Sequence, residues 1–177
     1  MSIERSQRRI SARRIAEVAH ELLDASTLCA IATVDPNGRA HINTAYFAWS
    51  PSFEIVWISE PRAKHSRNIH INGTAAVSVF DSSQSWGQPD RGIQLFGIAH
   101  KAEGHAADDV VAIYAGRFSA VVESDLPAYH PYLFRPRRLK VFHERALGGG
   151  VFVTATVDRA GKLSWNRTEI YDAKRSP

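Results

Sequence analysis

The sequence predicts a mainly β protein, a closed or split antiparallel barrel with a few helices set among its strands. Roughly six or seven apolar runs of strand length recur at hairpin spacing, interrupted by two or three segments of helical period. Strict alternation of strand and helix, which builds a doubly wound sheet, is missing. So are the G-x-G-x-x-G fingerprint and the Walker loop that accompany such sheets at nucleotide sites.

Taken in order, Ile15, Val18, Ala19, Leu22 and Leu23 recur at helical spacing and predict an amphipathic helix over residues 11–25. An apolar run predicts a strand at 28–34. Asp35-Pro36-Asn37-Gly38 then places Asp, Pro and Gly where a type I turn prefers them, and a second strand over 40–49 completes a hairpin. Pro51-Ser52 turns the chain into a strand at 54–59, a short basic helix follows, and 75–80 is apolar again. The polar segment 81–92 is a loop punctuated by Gly and Pro. A strand over 93–102 contains Gly97, which permits a bulge or barrel corner. Val110, Val111, Ile113 and Tyr114 supply the apolar side of a helix over 106–118. Beyond a Pro-containing stretch at 127–136, strands are expected at 138–143, 151–157 and 162–166.

Composition limits the function classes. At 177 residues the chain is one domain able to bury a genuine core, with no internal repeat and no run long enough to span a membrane. The single cysteine, Cys29, excludes an intramolecular disulfide framework and reads as a buried hydrophobe in a cytoplasmic protein. The net charge of +4 resides at the start, where Arg5, Arg8, Arg9, Arg13 and Arg14 outnumber Glu4. Residues 1–14 therefore read as a basic arm and 15–177 as the domain; the balanced body argues against nucleic-acid binding. Arg135, Arg137, Arg138 and Lys140 alternate with Phe134 and Phe142, the pattern of a half-buried strand with a wet face.

The most informative segment is IVWISEPRAKHSRNIHINGTAAVSVF, residues 55–80. Pro61 suits a first helical turn, and Ser59 or Glu60 stands where an N-cap belongs, so the helix is expected to start near 60 and stop at Asn72-Gly73. Its first turns gather Arg62, Lys64, His65 and Arg67 beside the hydroxyls of Ser59 and Ser66. Free backbone N–H groups, the positive dipole end and cationic side chains would together suit a phosphate. A solvated basic face is the alternative, but Ala63, Ile69 and Ile71 alone are available to bury.

This strand, its A-K-H-S-R-N-I run and the V-S-V-F strand after it resemble the FMN-binding split-barrel family, whose namesake is pyridoxamine 5'-phosphate oxidase. The likeness covers roughly residues 15 to 145. It sets Ile58 and Ser59 on the family's aromatic-Thr pair, and Lys64 and His65 on its Arg-Lys pair. It implies one FMN per subunit of a homodimer, the phosphate held by Ser59, Lys64, His65, Ser66 and Arg67, and the ring approached by Ile58 and Gln94. Gln94 stands three residues before Gly97, where the family's Gln stands five before its Gly. An even offset keeps it on the same strand face.

Asn43 and Ala48 replace two cations of the family, and the SWNRTEIYDAKRSP tail lacks its substrate-phosphate signature, so the resemblance implies an oxidoreductase acting on a small molecule other than pyridoxamine phosphate. A deazaflavin-dependent reductase and a non-enzymatic haem-binding or flavin-sensing protein are the alternatives. Haem needs only one axial ligand, whereas the eight histidines show no zinc spacing. Trp86 in the loop reads as a loop anchor or a cover for the site, and Trp49 and Trp57 as core or interface residues.

Overall fold

The computed structural model describes residues 2–119 and 128–172. In chain order the elements are β1 (Ser2–Ser6), α1 (Ala12–Asp24), β2 (Leu28–Val34), β3 (Ala40–Tyr46), β4 (Ala48–Trp49), β5 (Ile55–Ser59), α2 (Lys64–Ile71) and β6 (Thr74–Phe80). There follow β7 (Arg91–Lys101), α3 (His105–Arg117), β8 (His130–His143), α4 (Glu144–Leu147), β9 (Val151–Val157) and β10 (Leu163–Asp172). The strands hydrogen-bond in the order β1-β10-β9-β8-β7-β6-β2-β3, with β5 also on β8 and β4 on β5. The fold is mainly antiparallel β with few helices, a split β-barrel as the sequence predicts. The chain clusters into two compact units, one formed by the segment up to Ser26 with Ser78–Leu95 and the chain from Arg137, the other by Thr27–Val77 with Phe96–Pro136.

In the first unit, α1 buries Ile15, Val18, Ala19, Leu22 and Leu23 and packs on β9 and β10. Each of the Ile, Val and Leu side chains contributes about 1.5–3 kcal/mol on burial, more than any propensity term in the helix. Ser11 caps it, its Oγ accepting the Arg14 N–H at 3.2 Å. The basic start is not a free arm. Residues 2–6 form β1, antiparallel to β10 with Ile3 opposite Tyr171 and Arg5 opposite Glu169. Arg8 Nη1 donates to the Leu147 carbonyl at 2.7 Å, and the Thr168 hydroxyl donates to the Arg8 carbonyl at 2.7 Å. Charge density marks these arginines as solvated; it carries no information about the edge strand that holds Arg5.

Two further differences have local causes. β10 runs far beyond the expected 166, because a register shift between Trp165 and Arg167 absorbs Asn166 and lets pairing with β9 continue to Ile170. The short α4 follows β8 directly, with the His143 imidazole accepting the Ala146 N–H at 3.3 Å as its cap.

The second unit contains the β2–β3 hairpin, the β4–β5–β8 ladder, α2 and α3. β2 alternates, burying Cys29, Ile31 and Thr33. Burial pushes the Cys29 thiol up to about 12, so it behaves as an inert small hydrophobe. Gly38 closes the hairpin turn at φ 78°, its N–H reaching the Asp35 carbonyl at 2.9 Å. The expected strand 40–49 is broken at Phe47, which is fully buried and gives its N–H to the Thr27 carbonyl, so pairing passes from β2 to β5.

α3 packs on Ala48, Val56, Ala102 and Leu133 through Val110 and Tyr114. β8 is a single strand that includes Pro131 and Pro136, so it begins well before the strand expected at 138–143; residue 127 lies outside the described residues. Pro136 falls between Phe134, the last residue paired with β5, and Arg138, the first paired with β9, so neither of these two ladders requires an N–H of it. Gly97 is needed for close approach, since a Cβ there would collide with the Arg135 carbonyl oxygen. Trp57 is fully buried and stacked on Tyr132 at 5.5 Å, a core residue, which removes it from any surface between subunits.

Candidate functional site

β5 delivers Ser59 to the site and decides which neighbours it has. Side chains alternate along a strand, so Ser59 and Ile58 leave on opposite faces. The Ile58 side chain packs against the α3 cluster of Val56, Tyr114 and Leu133 and does not join Ser59. In the β5–β8 register Ser59 lies opposite His130, which brings the residues just before β8 alongside. A cleft of about 490 Å³ results, lined by Ser59, Glu60, Pro61, Arg62, Ala128 and Tyr129.

Residues 60–63 make a turn, with the Ala63 N–H on the Glu60 carbonyl at 3.1 Å, and α2 begins only at Lys64. The expectation of a helix from residue 60 capped by Ser59 or Glu60 is therefore corrected. Ala63 is the N-cap and has no side chain able to cap. The first helical bond runs from the Arg67 N–H to the Ala63 carbonyl, leaving the amides of Lys64, His65 and Ser66 without partners among the described residues. What fixes the turn is Ser66, almost fully buried, whose hydroxyl donates to the Glu60 carbonyl at 2.9 Å.

His65 is 8% exposed, and its Nε2 lies 2.7 Å from Ser59 Oγ. Burial, with the neighbouring His41 as a lesser cause, holds its pKa below the ordinary histidine value, so the imidazole is neutral at pH 7. α2 packs on β2 and β3, where buried Asn68 donates to the Thr33 hydroxyl at 3.0 Å. Lys64 Nζ lies 3.4 Å from Asp35 Oδ2. Arg62 and Arg67 are exposed and have no side-chain partner among the described residues.

The structure thus brings Ser59, Lys64, His65, Ser66 and Arg67 together around the turn into α2. Gln94 lies on β7 in the other unit with its side chain exposed. Sequence reasoning gathered Arg62 at this turn but missed Asp35 and His41 as members of the site. Asp35 reads from sequence only as a turn residue, and His41 shows itself only through the register, which sets it opposite Thr33 on the face that α2 covers. Two residues along that strand face is Asn43, whose Oδ1 is buried with no hydrogen-bond partner among the described residues. No group of three His, Cys, Asp or Glu side chains able to hold a metal occurs among the described residues, and no helix there is long and apolar enough to cross a membrane.

A family model described as pyridoxamine 5'-phosphate oxidase matches residues 15–143. Among solved structures, the haem-binding protein of Mycobacterium smegmatis aligns with a TM-score of 0.60 at 13% identity, covering 94% of this chain and 90% of that one. HutZ, the haem storage protein of Vibrio cholerae, aligns at 0.58 with 19% identity over 67% of this chain and 87% of that one. An F420 reductase aligns at 0.54 with 20% identity over 68% and 94%. At these identities the likeness is one of fold. No curated relative matches the sequence.

Proposed function

Because the chain belongs to the pyridoxamine 5'-phosphate oxidase family, we propose that it is an FMN-dependent oxidoreductase whose cofactor phosphate sits at the turn from β5 into α2. The observation that supports this reading is the donor set there: the Ser59 hydroxyl in the cleft, three amides of α2 without partners, and the guanidinium groups of Arg62 and Arg67. The residues fit a flavin in a second respect, since the orphaned Asn43 Oδ1 is an acceptor of the kind a flavin's polar edge requires.

When bound, the flavin supplies hydride or electron transfer, and the protein's part is to bind, orient and exclude water. Ser59 and the α2 amides would hold the phosphate, and Arg62 and Arg67 would neutralise it. The buried Ser66 hydroxyl keeps the turn in shape from beneath. Asn43 and Ala48, standing where the namesake enzymes carry cations, favour a small-molecule substrate other than pyridoxamine phosphate.

The protein is proposed to act as a homodimer in the cytoplasm. Leu28, Ile42 and Tyr46 stand on one face of the β2–β3 hairpin and are 43%, 67% and 59% exposed, an apolar surface suited to a second copy.

The absorption spectrum of the purified protein, followed by titration with FMN, tests the reading. Flavin bands and saturable FMN binding are expected. A Soret band, the outcome that likeness to a haem storage and a haem-binding protein would favour, or binding of a deazaflavin in place of FMN, the outcome that likeness to an F420 reductase would favour, would replace it with the corresponding alternative.

A further inference from the structure

The Ser59–His65 hydrogen bond has two polarities, and only one of them leaves Ser59 useful to an anion. If Ser59 donates to Nε2, its proton is spent inward and the cleft receives lone pairs. If Nε2–H donates to Ser59 Oγ, the hydroxyl proton is free to point into the cleft. A neutral imidazole is able to adopt either tautomer, whereas a protonated one permits only the second. We propose that His65 is the positioning residue that turns the Ser59 hydroxyl toward an anion in the cleft, so that the site takes up a proton when it binds a phosphate monoester. The proposal rests on the phosphate assignment above and adds regulation to it: binding weakens as the solution becomes alkaline.

The surroundings favour such a linkage. His65 is buried beside His41 of β3, which opposes protonation in the free protein. The Asp35 carboxylate is already engaged by Lys64 and by the amides of Asn37 and Arg39, so it offers His65 no counter-charge. Across β5 the register places His130 opposite Ser59, and Glu60 contributes its carbonyl to Ser66. Arg62 and Arg67 add positive charge from the turn and from α2. Glu60, exposed in the lining of the cleft, is the one acidic side chain of this set without a hydrogen-bond or ion-pair partner among the described residues, so an arriving phosphate would compete with it as counter-ion to the imidazolium. In the residue-by-residue resemblance the corresponding position holds lysine, a permanent cation. Histidine there makes the charge conditional.

The sign follows from linkage. Where the free site is neutral at His65 and the bound site protonated, affinity falls about tenfold per pH unit as pH rises, and levels off once the bound form also loses its proton. FMN affinity should be measured from pH 5 to 8 for the wild type, His65→Gln and His65→Lys. Ionisation of the ligand phosphate is common to all three, so ratios between proteins isolate the histidine. The wild type is expected to lose affinity relative to both variants as pH rises, to take up a proton in calorimetry across buffers of different ionisation enthalpy, and to show an upward-shifted His65 titration by NMR. Inorganic phosphate is the second probe. If FMN fails to bind but phosphate still shifts the His65 titration, the cofactor reading fails and the relay stands. Wild-type ratios independent of pH, with a His65 titration unmoved by either probe, would overturn the relay.

Discussion

Lys64 Nζ lies 3.4 Å from Asp35 Oδ2, tying the first residue of α2 to the turn between β2 and β3. The same aspartate accepts the N–H groups of Asn37 and Arg39 at 2.9 Å each, so it holds the hairpin and the helix start at once. These bonds keep its pKa below the usual aspartate value, the Arg39 amide first among the causes that lower it and Lys64 a smaller one. A lowered carboxylate pKa contributes stability that is complete above the unfolded value, about 3.9, and is lost as pH falls through the folded one. Asp35→Asn is expected to lower Tm at pH 7 and to narrow its gap from the wild type as pH drops below about 4. A gap that stays constant down to pH 3 would sink this account.

The phosphate assignment predicts unequal roles for two cations. Lys64 is already paired with Asp35, whereas the Arg67 guanidinium has no partner among the described residues. Losing one charge-assisted hydrogen bond costs about 1.5–3 kcal/mol, a Kd rise of roughly 10- to 150-fold. Arg67→Ala is expected to weaken FMN binding within that range and Lys64→Ala to weaken it less. Equal affinity for wild type and Arg67→Ala in a fluorescence titration would remove Arg67 from the site.

The N-terminal strand should matter for stability and little for the cofactor. Deleting residues 1–9 removes the β1–β10 ladder and the Arg8 hydrogen bonds to Leu147 and Thr168, while the cleft residues lie in the other unit. Each 1 kcal/mol lost lowers Tm by about 2–4 °C in a chain of this size. The truncated protein should melt several degrees lower and bind FMN with unchanged affinity when assayed well below its Tm. An unaltered melting curve is the result that contradicts β1.

Trp57 is a probe of the second unit's core. It is fully buried, stacked on Tyr132, and its Nε1 has no hydrogen-bond partner among the described residues. Trp57→Ala is expected to cost about 3–5 kcal/mol in urea unfolding. Trp57→Phe keeps the ring contact and removes an unpaired donor, which itself costs about 1–3 kcal/mol, so its penalty should be far smaller. Similar losses for both would show that the indole N–H is satisfied in solution.

The proposed dimer predicts a response at the hairpin surface. Ile42→Lys should convert a species of twice the 19.7 kDa chain mass into a monomer in sedimentation equilibrium, leaving the far-UV spectrum intact. A wild-type chain that sediments as a monomer at micromolar concentration would refute the assembly.

Local periodicity by itself determined α1, the β2–β3 hairpin and the antiparallel character of the sheet, because a buried face repeats every two or every 3.6 residues whatever it packs against. The basic turn after β5 was legible for the same reason: hydroxyls and cations cluster within a few residues of sequence. Tertiary structure decided what those residues touch. Ser59 and His65 meet only because the turn at 60–63 folds back, and Ser66 is spent on holding that turn. Asp35 and His41 enter through long-range packing of α2 on the hairpin, a contact with no sequence period. The arginine-rich start was legible as charge but not as β1, since edge pairing with a strand more than a hundred and fifty residues away leaves no local mark. Composition fixed which groups were available; the closing of distant segments fixed which of them share a site, because burial, charge pairing and the polarity of a hydrogen bond are properties of neighbours in space.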